Sequence, residues 1–277
     1  MSKRSTREDD SAPEDGTLGS PESENDATQE GDRPSRERVR EALASVTDPE
    51  LDRSIVELEY IDEIRFEPDG TVRVAFTLPT AWCSPAFAWM MAGDSRDVVE
   101  SLPGVDRCRI ELREHMHERE VNRGINEGID FAEAFPDAED GIADLRETLD
   151  EKAVLSRQYR ATEALLAAGL DLEQIALLER SDLDREIADS RIAVAVPDRG
   201  FEVTVPAEPL ERYLEKAAAL DRFERSERLF RTPDGDAIDP DDAELVHRRA
   251  RLARVNMDGQ GGVCDALHES RQSALAE

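Results

Sequence analysis

Apolar and polar residues follow four successive patterns along this chain. Residues 1–34 are rich in Ser, Glu, Asp, Gly and Pro and carry almost no large apolar side chain. Such a composition cannot offset its ordering entropy and predicts a disordered acidic tail. Pro34-Ser35 then opens a helix whose apolar positions, Val39, Leu43 and Val46, recur at four and three residues. Thr47-Asp48-Pro49-Glu50 ends it, because a residue that precedes proline disfavours helical backbone. Next the period drops to two. Ile64 and Phe66 before Pro68-Asp69-Gly70, with Val72, Val74, Phe76 and Leu78 after it, predict a hairpin with one buried face. Ser84 and Pro85 suit the N-cap and first position of a second helix, which turns Phe87, Met90, Met91 and Val98 toward that sheet. Leu102-Pro103-Gly104-Val105 breaks the chain before a third strand from Arg107 to Leu112. Over 35–117 the order α-β-β-α-β reads as a small α+β domain, with helices on a small mixed sheet.

From 118 to 277 the texture is that of charged helices, predicted from Asp144 to Leu166, Glu173 to Leu178, Ala207 to Arg225 and Asp241 to Val255. Ile192, Val194 and Val196 against Val203 and Val205 add a hairpin near 191–205. The glycines in Gly259-Gln260-Gly261-Gly262 predict a turn before a short terminal helix. The extension is therefore expected to be mostly helical.

Composition changes the picture in two respects. Acidic residues outnumber basic ones 65 to 35, for a formal net charge of −30, and Lys occurs only at Lys3, Lys152 and Lys216. Acidity spread over the whole length fits a protein kept soluble in a salt-rich, halophilic cytoplasm, so the charge describes the solvent more than a partner. It also argues against nucleic acid, whose phosphates call for clustered cations. No apolar run follows the first residues. The longest, from Ala81 to Gly93, is interrupted by Ser84 and Pro85 and too short to span a bilayer, so no membrane role is expected. The three cysteines, Cys83, Cys108 and Cys264, are odd in number and widely spaced. That is no disulfide framework, and it fits a reducing cytoplasm.

Cys83 is the leading chemical candidate. A thiol just ahead of a helix start faces unpaired backbone N–H groups and the positive end of the helix dipole, which favour the thiolate. Asp48 and Glu50 flank Pro49 at a helix end, where a carboxylate either closes a turn or contacts iron or a partner's basic side chain. His115-Met116-His117 is expected to close the third strand with both imidazoles on one face, a pair of metal ligands or a solvated exit into a helix. Cys264 and His268 stand four apart on the terminal helix, as metal ligands or as core packing. Cys108, between Arg107 and Arg109 in a strand, is expected in the core.

Several pieces together carry a family resemblance. They are Val46-Thr47-Asp48-Pro49-Glu50-Leu51, Ser54-Ile55-Val56-Glu57-Leu58, the Asp69-Gly70 turn, the Thr80/Cys83/Pro85 loop and Leu102-Pro103-Gly104-Val105. With these in order, the stretch from Val39 to Leu112 resembles the MIP18 (DUF59) family of iron–sulfur assembly proteins, which includes the SufT proteins. The resemblance implies a role in building or delivering iron–sulfur clusters, or in maturing a metal-dependent enzyme. It carries the family's functional cysteine onto Cys83, its acidic turn onto Asp48 and Glu50, and its loop threonine onto Thr80. Two positions depart from the family pattern: Ser84 separates the cysteine from its proline, and Glu59 replaces a common glycine.

One thiolate cannot hold a cluster, since iron–sulfur ligation uses four protein ligands. The expected cargo is thus a transient iron–sulfur cluster or iron. The missing ligands would come from a client apo-metalloprotein, another iron–sulfur assembly protein, or a second Cys83 in a homodimer. The competing expectation is a binding-only maturation chaperone for a multicomponent metal-dependent oxygenase. A thiol enzyme using Cys83 or Cys264 stands third, and no complete catalytic constellation is visible. Residues 163–184 also faintly resemble the tyrosine-recombinase core, but Asp171 stands where that family has its catalytic Arg and no tyrosine follows Tyr213.

Overall fold

The computed structural model describes residues 34–138, 141–184, 190–197, 199–223 and 227–275, the last helix with only some of its side chains. The predicted acidic tail lies outside the described residues. The first helix, α1 (Arg36–Leu43), is capped by Ser35, whose side chain accepts from the Arg38 N–H, and it buries Val39 and Leu43. Two short strands follow where the sequence shows only a helix end. β1 (Thr47–Asp48) and β2 (Arg53–Ser54) pair antiparallel around the Pro49 turn.

The main sheet comprises β3 (Ile61–Phe66), β4 (Thr71–Thr77) and β5 (Arg107–Arg113), with β4 in the centre. β3 and β4 form the predicted hairpin. β5 runs parallel to β4, because the intervening helix α2 (Pro85–Glu100) carries the chain back along the sheet. The domain is thus α+β with a mixed sheet, as the sequence predicts. β4 is more enclosed than the alternation implies: besides Val72, Val74 and Phe76, its residues Ala75 and Thr77 are buried. Its second face is thus largely buried as well, with Arg73 on it still partly exposed.

A helix then covers the free side of β5. From α3 (Glu118–Glu127), the side chains of Asn122 and Asn126 each make two bonds to the β5 backbone, Asn122 to Leu112 (2.7 and 2.9 Å) and Asn126 to Ile110 (2.9 and 2.8 Å). Four residues of helix rise about 6 Å, close to the span of two strand residues, so side chains four apart match carbonyls two apart. This amide ladder closes an otherwise exposed edge. The short helix α4 (Phe131–Ala134) follows. The first core takes in Val121 and Ile125 from α3, so packing of the domain reaches past residue 117.

The extension has its own core. Its long helix α5 (Ile142–Ala167) leads to α6 (Leu172–Leu177), whose N-cap Asp171 forms a capping box with Gln174. β6 (Leu183–Asp184), β7 (Arg191–Ala195) and β8 (Glu202–Pro206) form an antiparallel sheet. The predicted hairpin is β7 and β8, and β6 is an additional strand. α7 (Ala207–Ala219) ends six residues before the predicted Arg225. α8 (Ala243–Leu275) is one continuous helix. The expected glycine turn at 259–262 therefore does not form, and Gly259 and Gly262 lie inside the helix.

Polar contacts join the two cores. Arg157 of α5 grips Asp52 with two bonds (2.7 and 2.8 Å) and donates to the Arg212 carbonyl of α7 (2.8 Å). Arg146 of α5 makes a second bidentate pair, with Asp94 of α2 (2.8 and 3.0 Å).

Candidate functional site

The loop after β4 is built by its own threonine. Thr80 Oγ1 accepts the Trp82 N–H (3.2 Å) and the Thr80 carbonyl accepts the Cys83 N–H (3.4 Å), so residues 80–83 form a tight turn. Ser84 then occupies the predicted N-cap of α2 and Pro85 the first helical position. The Ser84 hydroxyl makes no cap bond; its carbonyl instead accepts from Phe87 and Ala88 (3.0 and 3.1 Å). No acidic residue sits in the first turn of α2. Cys83 is half-buried, one residue ahead of that cap.

A second segment pins the loop from the side. β5 stops at Arg113, and Glu114 adopts a left-handed backbone (φ 54°), which turns the chain. The Met116 N–H then donates to the Ala81 carbonyl (3.0 Å). His115 Nδ1 accepts the His117 N–H (3.1 Å), which leaves Nε2 as the protonated nitrogen that donates to the Cys83 carbonyl (2.9 Å). His115 is buried, and burial holds its pKa below the usual histidine value, against the pull of the Cys83 carbonyl.

This corrects the expectation for the two histidines. They do not share one face of an extended strand, because the strand has already ended. His115 spends both ring nitrogens on backbone and braces the cysteine loop. His117 stands at the N-cap position of α3, with its ring edge-on to Phe135 and Nδ1 4.0 Å from Glu120.

Two exposed apolar side chains belong to the segments that meet at the Cys83 loop. Trp82 is 76% exposed and Met116 53% exposed, although both belong to backbone-bonded segments. Sequence reasoning missed this pair. The signal available was an unalternated Trp in a turn, but only the Met116–Ala81 bond places the two segments together.

Asp48 takes its structural role. Its Oδ1 accepts from the Glu50 and Leu51 N–H groups (2.9 and 3.2 Å) and its Oδ2 from the Tyr60 hydroxyl (3.3 Å). Burial raises its pKa above the usual carboxylate value despite those three bonds. Glu50 is half-buried; burial first, and then the Asp48 charge, raise its pKa, while Lys152 pulls it down. Cys108 lies in the first core as expected, its thiol pushed up to about 12, chiefly by burial. The side chains of Cys264 and His268 lie outside the described residues. Among the described residues, no group of three or more His, Cys, Asp or Glu is placed to hold a metal ion, and no helix is long and apolar enough to cross a membrane.

Comparison with known proteins places the first domain among known sequences. Residues 36–112, from the start of α1 nearly to the end of β5, match the family model described as iron-sulfur cluster assembly protein. An uncharacterized protein of Methanocaldococcus jannaschii is 28% identical over 92 residues, which is 33% of this chain and 95% of that protein. No solved structure matches the chain.

Proposed function

Since residues 36–112 are a domain of the iron–sulfur cluster assembly family, we propose that this protein carries iron or an iron–sulfur cluster as cargo, with Cys83 as the thiolate that meets it. The observation behind this reading is the pinned loop. Thr80, Ala81 and the carbonyl of Cys83 are all held by backbone or His115 bonds, so the sulfur is presented from a fixed turn at the start of α2. A single sulfur donor holds iron weakly compared with four. Weak holding suits a carrier: a client's thiolate replaces the Cys83 sulfur on iron by ligand exchange, with no change of oxidation state. Trp82 and Met116 give that client an apolar landing surface, the kind of exposed aromatic anchor that dominates interfaces. Thr80 shapes the loop, and of the other candidate side chains in this domain Glu50 and His117 stay partly open.

The test is anaerobic reconstitution with iron and sulfide in molar salt, followed by visible absorption and iron counts. Wild type should gain a chromophore, and Cys83→Ser should lose it with unchanged circular dichroism. Equal iron in the two proteins would sink the reading.

A binding-only maturation chaperone is the second reading, favoured by the exposed Trp82 and by the structural use of His115 and Asp48. It predicts no chromophore in wild type. It also predicts a partner whose capture survives Cys83→Ser but not Trp82→Ala.

A further inference from the structure

The outer face of α8 takes part in neither core nor in the Cys83 loop. Its inner face, with Ala243, Val246, Ala250 and Met257, is buried. On the opposite side Leu245, Leu252 and Val255 are 45, 61 and 56% exposed. With Arg248, Gly259 and Gly262 they recur at alternating intervals of three and four residues, the seam of a coiled coil. A Cβ built on Gly259 or Gly262 meets no atom within 4 Å, so the seam is open along its length among the described residues.

We infer that this seam pairs with the same seam of a second copy, antiparallel, centred between Ala253 and Arg254. The pattern is self-complementary about that point, as a twofold interface requires. Leu252 packs on the partner's Val255, and the reverse contact repeats it. In the next layer Arg248 lies over the partner's Gly259, and in the outer layer Leu245 lies over the partner's Gly262. In these two layers each large side chain thus meets a residue that has none. At the flanks Arg251 faces the partner's Asp258 and Arg249 faces the partner's Asn256, and all four of these side chains are exposed in the single chain. A parallel pairing would instead set Arg248 on Arg248 and Gly259 on Gly259, joining like charges and leaving voids. Residues 243–257 hold four Arg and one Glu, so two copies bring like positive charge together here, and the cross-copy Arg251–Asp258 pairs are what offset it. The inference does not depend on Cys83 handling iron.

The test is sedimentation velocity on the full chain over a range of micromolar concentrations, at the lowest salt that keeps it folded by circular dichroism. Wild type should be a dimer. Leu252→Glu should be a monomer of unchanged helicity. Arg251→Asp should weaken the dimer about tenfold, in line with a cross-copy charge pair, and adding Asp258→Arg should restore it, because the exchanged charges again face each other. A monomeric wild type, a dimer indifferent to Leu252→Glu, or a charge swap that fails to rescue would each overturn the inference. A Leu252→Glu chain that had lost helicity would leave the swap rescue as the deciding measurement.

Discussion

At the scale of single residues, the same side chains that look chemical in the sequence divide by what their polar atoms are already bonded to. Asp48 is the clearest case, since three donors and deep burial occupy its carboxylate. A carboxyl whose folded pKa is raised binds its proton more tightly in the folded than in the unfolded chain. Its contribution is therefore fully present below the ordinary value of 3.8 and is lost as pH rises through the folded value. Asp48→Asn keeps the turn, because the amide oxygen accepts from Glu50 and Leu51 and the amide N–H₂ donates to the Tyr60 oxygen. We expect it to match or exceed wild-type stability at pH 7, with the difference shrinking as pH falls through the carboxylate range. Asp48→Ala should cost about 1–3 kcal/mol by stranding buried donors. Denaturation midpoints of the three proteins at pH 7 and pH 4 check this. An Asn variant clearly weaker than wild type at pH 7 would show that the charge itself stabilises the fold.

Among the elements, α3 does the most to complete the sheet, and its docking depends on one glycine. A Cβ at Gly124 would lie 2.2 Å from the Trp89 ring of α2, and that ring in turn meets Phe131 and Phe135 edge-on at 5.4 and 6.0 Å. Gly124→Ala must push the indole out of this cluster. We expect a loss of about 1–3 kcal/mol, typical of overpacking, with a red shift in tryptophan emission. The chain has two Trp, and Trp82 is already largely exposed, so the shift reports Trp89. Unchanged emission and midpoint would mean that the ring has room to slide.

For the whole molecule, the question is what makes domain and extension one body. Arg157 and Asp52 are the principal link, both almost fully buried as side chains and 105 residues apart in the chain. Asp52 sits at positive φ (50°), a backbone that Asn also tolerates. Arg157→Met leaves a buried carboxylate unpaired and should cost about 3–5 kcal/mol. Adding Asp52→Asn should recover much of that loss, which chemical denaturation of the single and double variants will show. Equal stability of single and double variants would mean that the pair does not join the two halves.

How much of this was legible follows from the range of the forces involved. Local patterning determined the α-β-β-α-β order, the Pro85 helix start, the burial of Cys108 and the mixed α+β class, because period and caps act within a few residues. The glycines at 259–262 misled, since three glycines weaken a helix locally without forbidding one. The two histidines misled for a different reason: the left-handed turn at Glu114 is not specified by residue type. By itself, then, the sequence determined most of the main elements and the family resemblance of the stretch from Val39 to Leu112, and it singled out Cys83 as the candidate to test. Only the tertiary structure decided that His115 braces that loop, that Asp48 is consumed by its own turn, and that Arg157 ties the extension to Asp52. Those contacts join residues 32, 12 and 105 positions apart. No local period encodes such pairs; they exist only once packing has brought the donors and acceptors out of water together.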